Sequence, residues 1–329
     1  MNQKIESIAA VCAAALLGTM ALAVTPVRAQ DYPNKPIRVI VPFATGGMVD
    51  SSARVITDRL GARLGQQVLI ENRGGAAGNV GHDFVAKAAP DGYTLLVAFD
   101  GTMAINPHIY KKMNWDPFKD FAPVTKLNDA TLLLVAHPSF PFNNLRELIA
   151  NAKQAGRLPF GTAGTASTQH VAGELLKQRT GLDLVHVPYK GGGPAIADVV
   201  GGQLTLSYTA IAGGSSFVKA GKLKALAITG TKRSALLPDV PTFSEQGYSD
   251  ITSGGRYWLM LPAGVAPETV EKIREATLRV LRMPEVQQKM LSIGLEPAPG
   301  DPREDVAGDM RREIEYWKKT AQATGIKAE

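Results

Sequence analysis

Apolar positions along this chain switch repeatedly between the period of a strand and that of a helix. Ile37, Val39, Ile40 and Val41 form a β-branched run that predicts a buried strand of a parallel sheet, ending at Pro42. Phe43 to Gly47 make a short loop with two glycines, and Ser51, Ala53, Val55, Ile56 and Leu60 follow at helical spacing. Residues 66–72 predict a second strand, and the glycine-rich segment 73–81 leads to a helix through Phe84, Val85 and Ala88. A third strand, 93–99, delivers Asp100, Gly101 and Thr102 to the same sheet edge as the first loop. Residues 106–126 are irregular and read as a surface excursion.

Further on, 131–138 is a strongly apolar strand, and Leu145, Leu148, Ile149 and Ala152 mark a helix. The opening arrangement then returns: a short strand at 158–160, a Gly/Thr loop at 161–168, and a helix through Val171, Leu175 and Leu176. Strands at 183–189 and 203–209 are each followed by a helix, and 222–230 is another apolar strand. After a proline-bearing linker at 233–247 the chain reads as mostly helical, at 269–281, 285–292 and 304–320. This alternation indicates α/β layers.

Length and charge narrow the class. The 329 residues suffice for two domains with proper cores. Lys4, the apolar run from Ile8 to Val24, and Val27-Arg28-Ala29 read as a cleavable signal peptide over 1–29, with the mature chain starting at Gln30 or Asp31. The one cysteine, Cys12, falls inside that leader, so no thiol chemistry is expected of the mature protein. No later segment approaches the roughly 20 apolar residues of a membrane span. The formal charge of +6 becomes +5 without Lys4, Glu6 and Arg28, with acids and bases interspersed. Small anions fit that excess better than nucleic acid. Five histidines, scattered singly, have no metal-site spacing, and no cofactor motif appears: 73–81 has the wrong spacing for a dinucleotide fingerprint.

A strand-loop-helix junction aims unpaired backbone N–H groups into the crevice at the carboxyl edge of a sheet. Partial positive charge at the helix start favours a carboxylate or phosphate there. An ordinary tight βα turn has the same local sequence, and the first segment alone does not separate the two.

The combination YPNKPIRVIVPFATGGMVD, IENRGGAAGN, KAAPDGYTLL, HVPYKGGGPAIADVVGGQ, GKLKALAIT and LPDVPTFSEQG resembles the Bug family, the TctC-like substrate-binding proteins of tripartite tricarboxylate transporters. The resemblance runs from about Tyr32 to the C-terminus. It implies an α/β, type II-like periplasmic binding protein, a Venus flytrap with its ligand cleft between two domains. Those domains would be 31–128 plus 228–329 and 129–227. It also implies a monomer that closes on a small organic acid and passes it to TctA/TctB-like membrane subunits.

By the same resemblance the first loop contributes Phe43, Thr45, Gly46 and Gly47, organised by Asp50, and the second Thr162, Gly164, Thr165 and Ser167. Asp198 corresponds to an aspartate that orients water. Departures from the family's pattern bear on specificity: Ala166 in place of a glycine, Phe99-Asp100 after the third strand, Tyr208-Thr209-Ala210 after Gln203-Leu204-Thr205, and Arg256 with Trp258 in GGRYWLMLPAG. Arg256 either pairs as a planar fork with a second carboxylate or packs on Tyr257. Asp100 either meets a polar group on the ligand or caps the following segment. Phe43, Phe99, Tyr208 and Trp258 either wall an aromatic ring or belong to the core. Two rival classes stand beside transport: a ligand sensor for a membrane kinase, and a secreted hydrolase using Ser167 with His170, for which no G-x-S-x-G elbow is present.

Overall fold

The computed structural model describes residues 32–324 except 166, 190, 231, 250, 252, 253 and 303. The predicted leader, the mature start at Gln30 or Asp31, and the Ala166 departure therefore lie outside the described residues. Residues 35–329 form one compact unit, to which all elements below belong.

From the amino end run β1 (Ile37–Val41), α1 (Met48–Leu64), β2 (Val68–Asn72), α2 (Asn79–Ala86), β3 (Thr94–Phe99), α3 (Asn106–Ile109) and β4 (Phe121–Ala130). Next come β5 (Leu132–Ala136), α4 (Leu145–Ala150), α5 (Ala152–Ala155), β6 (Leu158–Thr162), α6 (Thr168–Thr180), β7 (Leu184–Pro188) and α7 (Gly192–Val200). After β8 (Leu206–Ala210), α8 (Ile211–Lys219) and β9 (Lys224–Ile228) follow β10 (Arg256–Pro262), α9 (Pro267–Leu281), α10 (Pro284–Ser292), β11 (Leu295–Pro297) and α11 (Val306–Thr324).

Among the described residues these strands make two sheets, one of six in the order β11-β4-β10-β3-β1-β2 and one of five in the order β7-β6-β8-β5-β9. β1 lies parallel between β2 and β3, which is why Ile37, Val39, Ile40 and Val41 are all completely buried. Helices α1 and α9 pack together on one side. On the other, Val85 of α2 and Val306 and Met310 of α11 join Ile40, Leu96, Trp258 and Met260 in one core. In the second sheet β6 is parallel to β7 and β8, and β5 is antiparallel to β8 and β9.

Three strands are absent from the sequence reading: β4, β10 and the short β11. A π-helical turn (Gly101–Ile105) runs into α3 at the start of the segment taken as a surface excursion, β4 begins inside that segment and runs past its end, and β10 and β11 lie in a stretch read as mostly helical. The β4–β10 ladder changes register between Tyr257 and Trp258 and again between Leu259 and Met260. Each irregularity flips the side-chain alternation, so FAPVTKLNDA loses the period of two that identifies a strand.

The sheets are joined where β4 passes into β5 through Thr131. The returning chain crosses at the same place: Ala130 N–H donates to the carbonyl of Gly255 at 2.7 Å. A Cβ on Gly254 would lie 1.9 Å from the Ala130 carbonyl oxygen and 3.0 Å from the Leu132 nitrogen. Because all of those neighbours are backbone, Gly254→Ala is expected to cost about 3 kcal/mol or more, roughly 10 °C in a thermal melt. Gly193→Ala, whose Cβ meets nothing within 4 Å, serves as the control and should melt with the wild type. Equal melting of all three proteins would mean that the crossing has slack.

A third connection is α11. It packs on the π-helical turn, α3 and β4 and also on α6. Its first turns belong to the core of the first sheet, whereas Trp317 and Ala321 join Leu134, Phe160 and Leu176 in the core of the second.

Candidate functional site

Strand register brings the two predicted loops to one place. The last residue of β3, Phe99, pairs with Tyr257 at the start of β10, and β10 starts beside the end of β4. On the other side of the crossing, Leu132 at the start of β5 pairs with Ala210, the last residue of β8. The carboxyl edges of β1–β3 and of β6–β8 therefore both flank the crossover, and the loops leaving those edges face a common crevice.

In the first loop Gly47 is the extended N-cap of α1, and no side chain caps that helix. Its first-turn N–H groups are left to the crevice. Asp50, 1% exposed, holds the loop from beneath. Its carboxylate accepts the N–H of Gly46 at 2.9 Å, Arg54 Nε at 2.8 Å and Nη2 at 3.0 Å, and Asn72 Nδ2 at 3.0 Å. Burial raises the pKa of this carboxyl, and the bonds from Arg54, Gly46 and Asn72 outweigh it, so the net shift is downward. Asn72 also donates to the Phe43 carbonyl, and its Oδ1 accepts the Thr45 hydroxyl at 3.1 Å. The Gly46 N–H and the Thr45 proton are thus spent inside the loop, which corrects the expectation that both serve a ligand directly.

The second loop is locked in a similar way. Thr162 Oγ1 accepts the Gly164 N–H at 3.2 Å and lies 2.7 Å from His186 Nε2. Gly164 stands at φ +132°, and a Cβ there would meet the Tyr189 carbonyl oxygen at 3.3 Å. Ser167 caps α6, accepting the His170 N–H, while its own proton goes to the Gly164 carbonyl at 2.7 Å. That bond takes the hydroxyl away from the proposed nucleophile role. The His170 ring instead stacks on His186, centroids 3.6 Å apart, and burial holds both rings down to about 4, so both are neutral at pH 7. Thr165 is exposed at the tip of the loop.

Behind this loop α7 and α8 begin at the same edge, neither with a side-chain cap. Thr209, buried at the end of β8, donates to the Ala210 carbonyl and lies under Gly192 at the start of α7. Asp198, expected to orient water, accepts the Tyr189 hydroxyl at 2.6 Å and so also positions a phenol. That bond, with partial burial, pushes the phenol up to about 12. Asn72, Tyr189 and His186 are site residues that the sequence reading missed. The signal for the first two was their place at strand ends on the carboxyl edge.

Arg256 and Asp100 are the larger corrections. Arg256 Nη1 lies 2.7 Å from Glu313 Oε2 and 3.2 Å from Asp309 Oδ1, and its Nε is 3.7 Å from Asp129 Oδ1. With three protein carboxylates around it, the guanidinium is not presented as a fork to a ligand, nor is it a surface arginine laid on Tyr257. Asp100 is completely buried and accepts the N–H of Gly101 at the start of the π-helical turn, the capping role of the two considered. Of the four aromatic candidates, Tyr208 and Trp258 are core residues, while Phe43 and Phe99 are half-buried at the crevice edge.

Comparison with known proteins identifies the architecture. The profile of the tripartite tricarboxylate transporter family receptors, TctC, matches residues 52–325. BugT of Bordetella pertussis (strain Tohama I) is 34% identical over 304 residues, which cover 92% of this chain and 93% of that protein. Among solved structures, the periplasmic binding protein BugD superposes with a TM-score of 0.78 at 31% identity, covering 91% of this chain and 100% of that one. Rpa4515 of R. palustris, solved with adipate, superposes with a TM-score of 0.80 at 33% identity, covering 90% and 99%. This chain therefore belongs to the family of tripartite tricarboxylate transporter receptors, the Bug or TctC-like solute-binding proteins.

Proposed function

We propose that the protein captures a small organic carboxylate in the crevice between its two sheets, closes over it, and releases it unaltered to TctA/TctB-like membrane subunits. The observation that carries this reading is that α1 and α7, neither with a side-chain cap, start beyond the carboxyl ends of strands in the two sheets that meet at the crossover. A carboxylate leaving water loses several kcal/mol of solvation. Helix starts return about 0.3–2 kcal/mol each and charge-assisted hydrogen bonds about 1.5–3, which together make capture favourable without a cationic clamp. The adipate bound by the R. palustris relative is an acid of this class. The closing bodies are residues 31–128 with 228–329, and 129–227; the protein acts as a monomer, exported through residues 1–29.

Ligand contacts divided between two bodies stabilise the closed form selectively, so closure and binding are one equilibrium. A thermal-shift screen against an organic-acid library, adipate included, is expected to raise the melting temperature for a few acids and for no neutral analogue. The same acids should contract the small-angle scattering profile. Stabilisation without contraction would remove closure, and no stabilisation by any acid would remove the function.

A further inference from the structure

We propose that the crevice is built for a carboxylate with an aromatic body, and that Phe99 is the residue that selects it; this rests on the carboxylate-binding reading above. Phe99 is the one residue of β3 that is not buried, so its ring emerges from the sheet at the carboxyl edge. Phe43 stands edge-to-face against it, ring centroids 5.8 Å apart, and Phe43 lies four residues before Gly47, the N-cap of the uncapped helix that would hold the acid group. Behind Phe99 the buried Tyr257 ring is stacked at 5.5 Å and fixes its plane.

Three glycines from separate segments clear the volume these rings fill. A Cβ on Gly101 would fall 2.3 Å from Phe99 Cε1, and one on Gly255 2.9 Å from Phe99 Cε2. One on Gly78 would come within 3.1 Å of Phe43 Cζ. The rings are held in position before any ligand arrives, the arrangement in which offset or edge contacts with a third ring are gained at little entropic cost.

Charge at this edge points the same way. The guanidinium next to Tyr257 is enclosed by Asp129, Asp309 and Glu313, and Asp100 lies directly behind Phe99. A second carboxylate on the ligand would find the guanidinium there already paired with three protein carboxylates. A single acid group at the helix start, with an aromatic body toward Phe43 and Phe99, matches both halves of the site.

Calorimetry with 3-phenylpropanoate, hexanoate and adipate, on the wild type and on Phe99→Leu, tests this. The wild type is expected to bind 3-phenylpropanoate about tenfold more tightly than hexanoate, from ring contacts and added apolar burial, with adipate weaker again. In Phe99→Leu the ratio of the first two affinities should fall toward one. Equal wild-type affinities, a ratio that survives the substitution, or adipate binding tightest would overturn the aromatic proposal while leaving carboxylate capture intact. Failure of all three acids to bind the folded wild type would remove the aromatic proposal and leave carboxylate capture to be decided by the library screen. The wild-type ranking decides the matter even where the variant is unstable.

Discussion

Arg256→Ala is expected to destabilise the protein by about 1–3 kcal/mol, the result of leaving the buried Glu313 carboxylate without its partner in a cluster that is otherwise partly exposed. Its guanidinium is shared by Glu313, Asp309 and Asp129, and Asp100 is also close enough to feel its charge. The cluster carries more acid than base even with the arginine present. Burial pushes Asp100 up to about 8, helped by the Glu313 charge and opposed by Arg256; burial likewise raises Glu313. A carboxyl whose folded value is raised stabilises the fold fully below its unfolded value and loses that contribution as pH climbs through the folded one. For Asp100 the window runs from about 4 to about 8. Removing the arginine raises both carboxyls further, so the gap in urea stability between wild type and variant should widen as pH climbs through the wild-type folded values, for Asp100 from about 8 upward. A gap that stays constant, or a variant whose stability is intact and whose ligand affinity alone falls, would return Arg256 to the ligand.

The second large effect is expected on binding. Asp50→Ala should weaken the best carboxylate about 100-fold, the equivalent of roughly 3 kcal/mol, by releasing the first loop from its support. The aspartate carries no ligand contact in this account; it holds Gly46 and Asn72, and Asn72 holds Phe43 and Thr45. Arg54→Ala is the informative comparison. That side chain is half exposed, so its pair with Asp50 is screened and its loss should change affinity less than about threefold. If the two variants bind alike, the ion pair and not the loop lattice organises the site.

Local signals on this chain were strongest where one physical cause acts alone. The β1 run, the two glycines after it and the helical spacing from Ser51 each report backbone geometry, and all three elements stand where expected. The carboxyl-edge position of Thr162, Gly164 and Ser167 followed from the same logic. Side-chain partners far apart in sequence were not legible. Nothing near Arg256 announces Glu313 57 positions on, and Asp198 gives no sign that Tyr189 lies against it across a turn. Strand β4 was hidden because a bulged ladder scrambles its alternation and its polar members, Asn128 and Thr125, find partners inside: Asn128 donates to Ser52 at 2.6 Å, in the first turn of α1.

Helix α11 has a consequence for how the chain is assembled. Glu313 holds Arg256 from the first sheet and accepts the Trp317 indole N–H at 2.8 Å, and Trp317 in turn plugs the hydrophobic interior around Phe160 and Leu176. The interior nearest the middle of the chain is thus completed by a tryptophan that follows every strand in sequence, so the core of the second sheet and the last helix depend on one another.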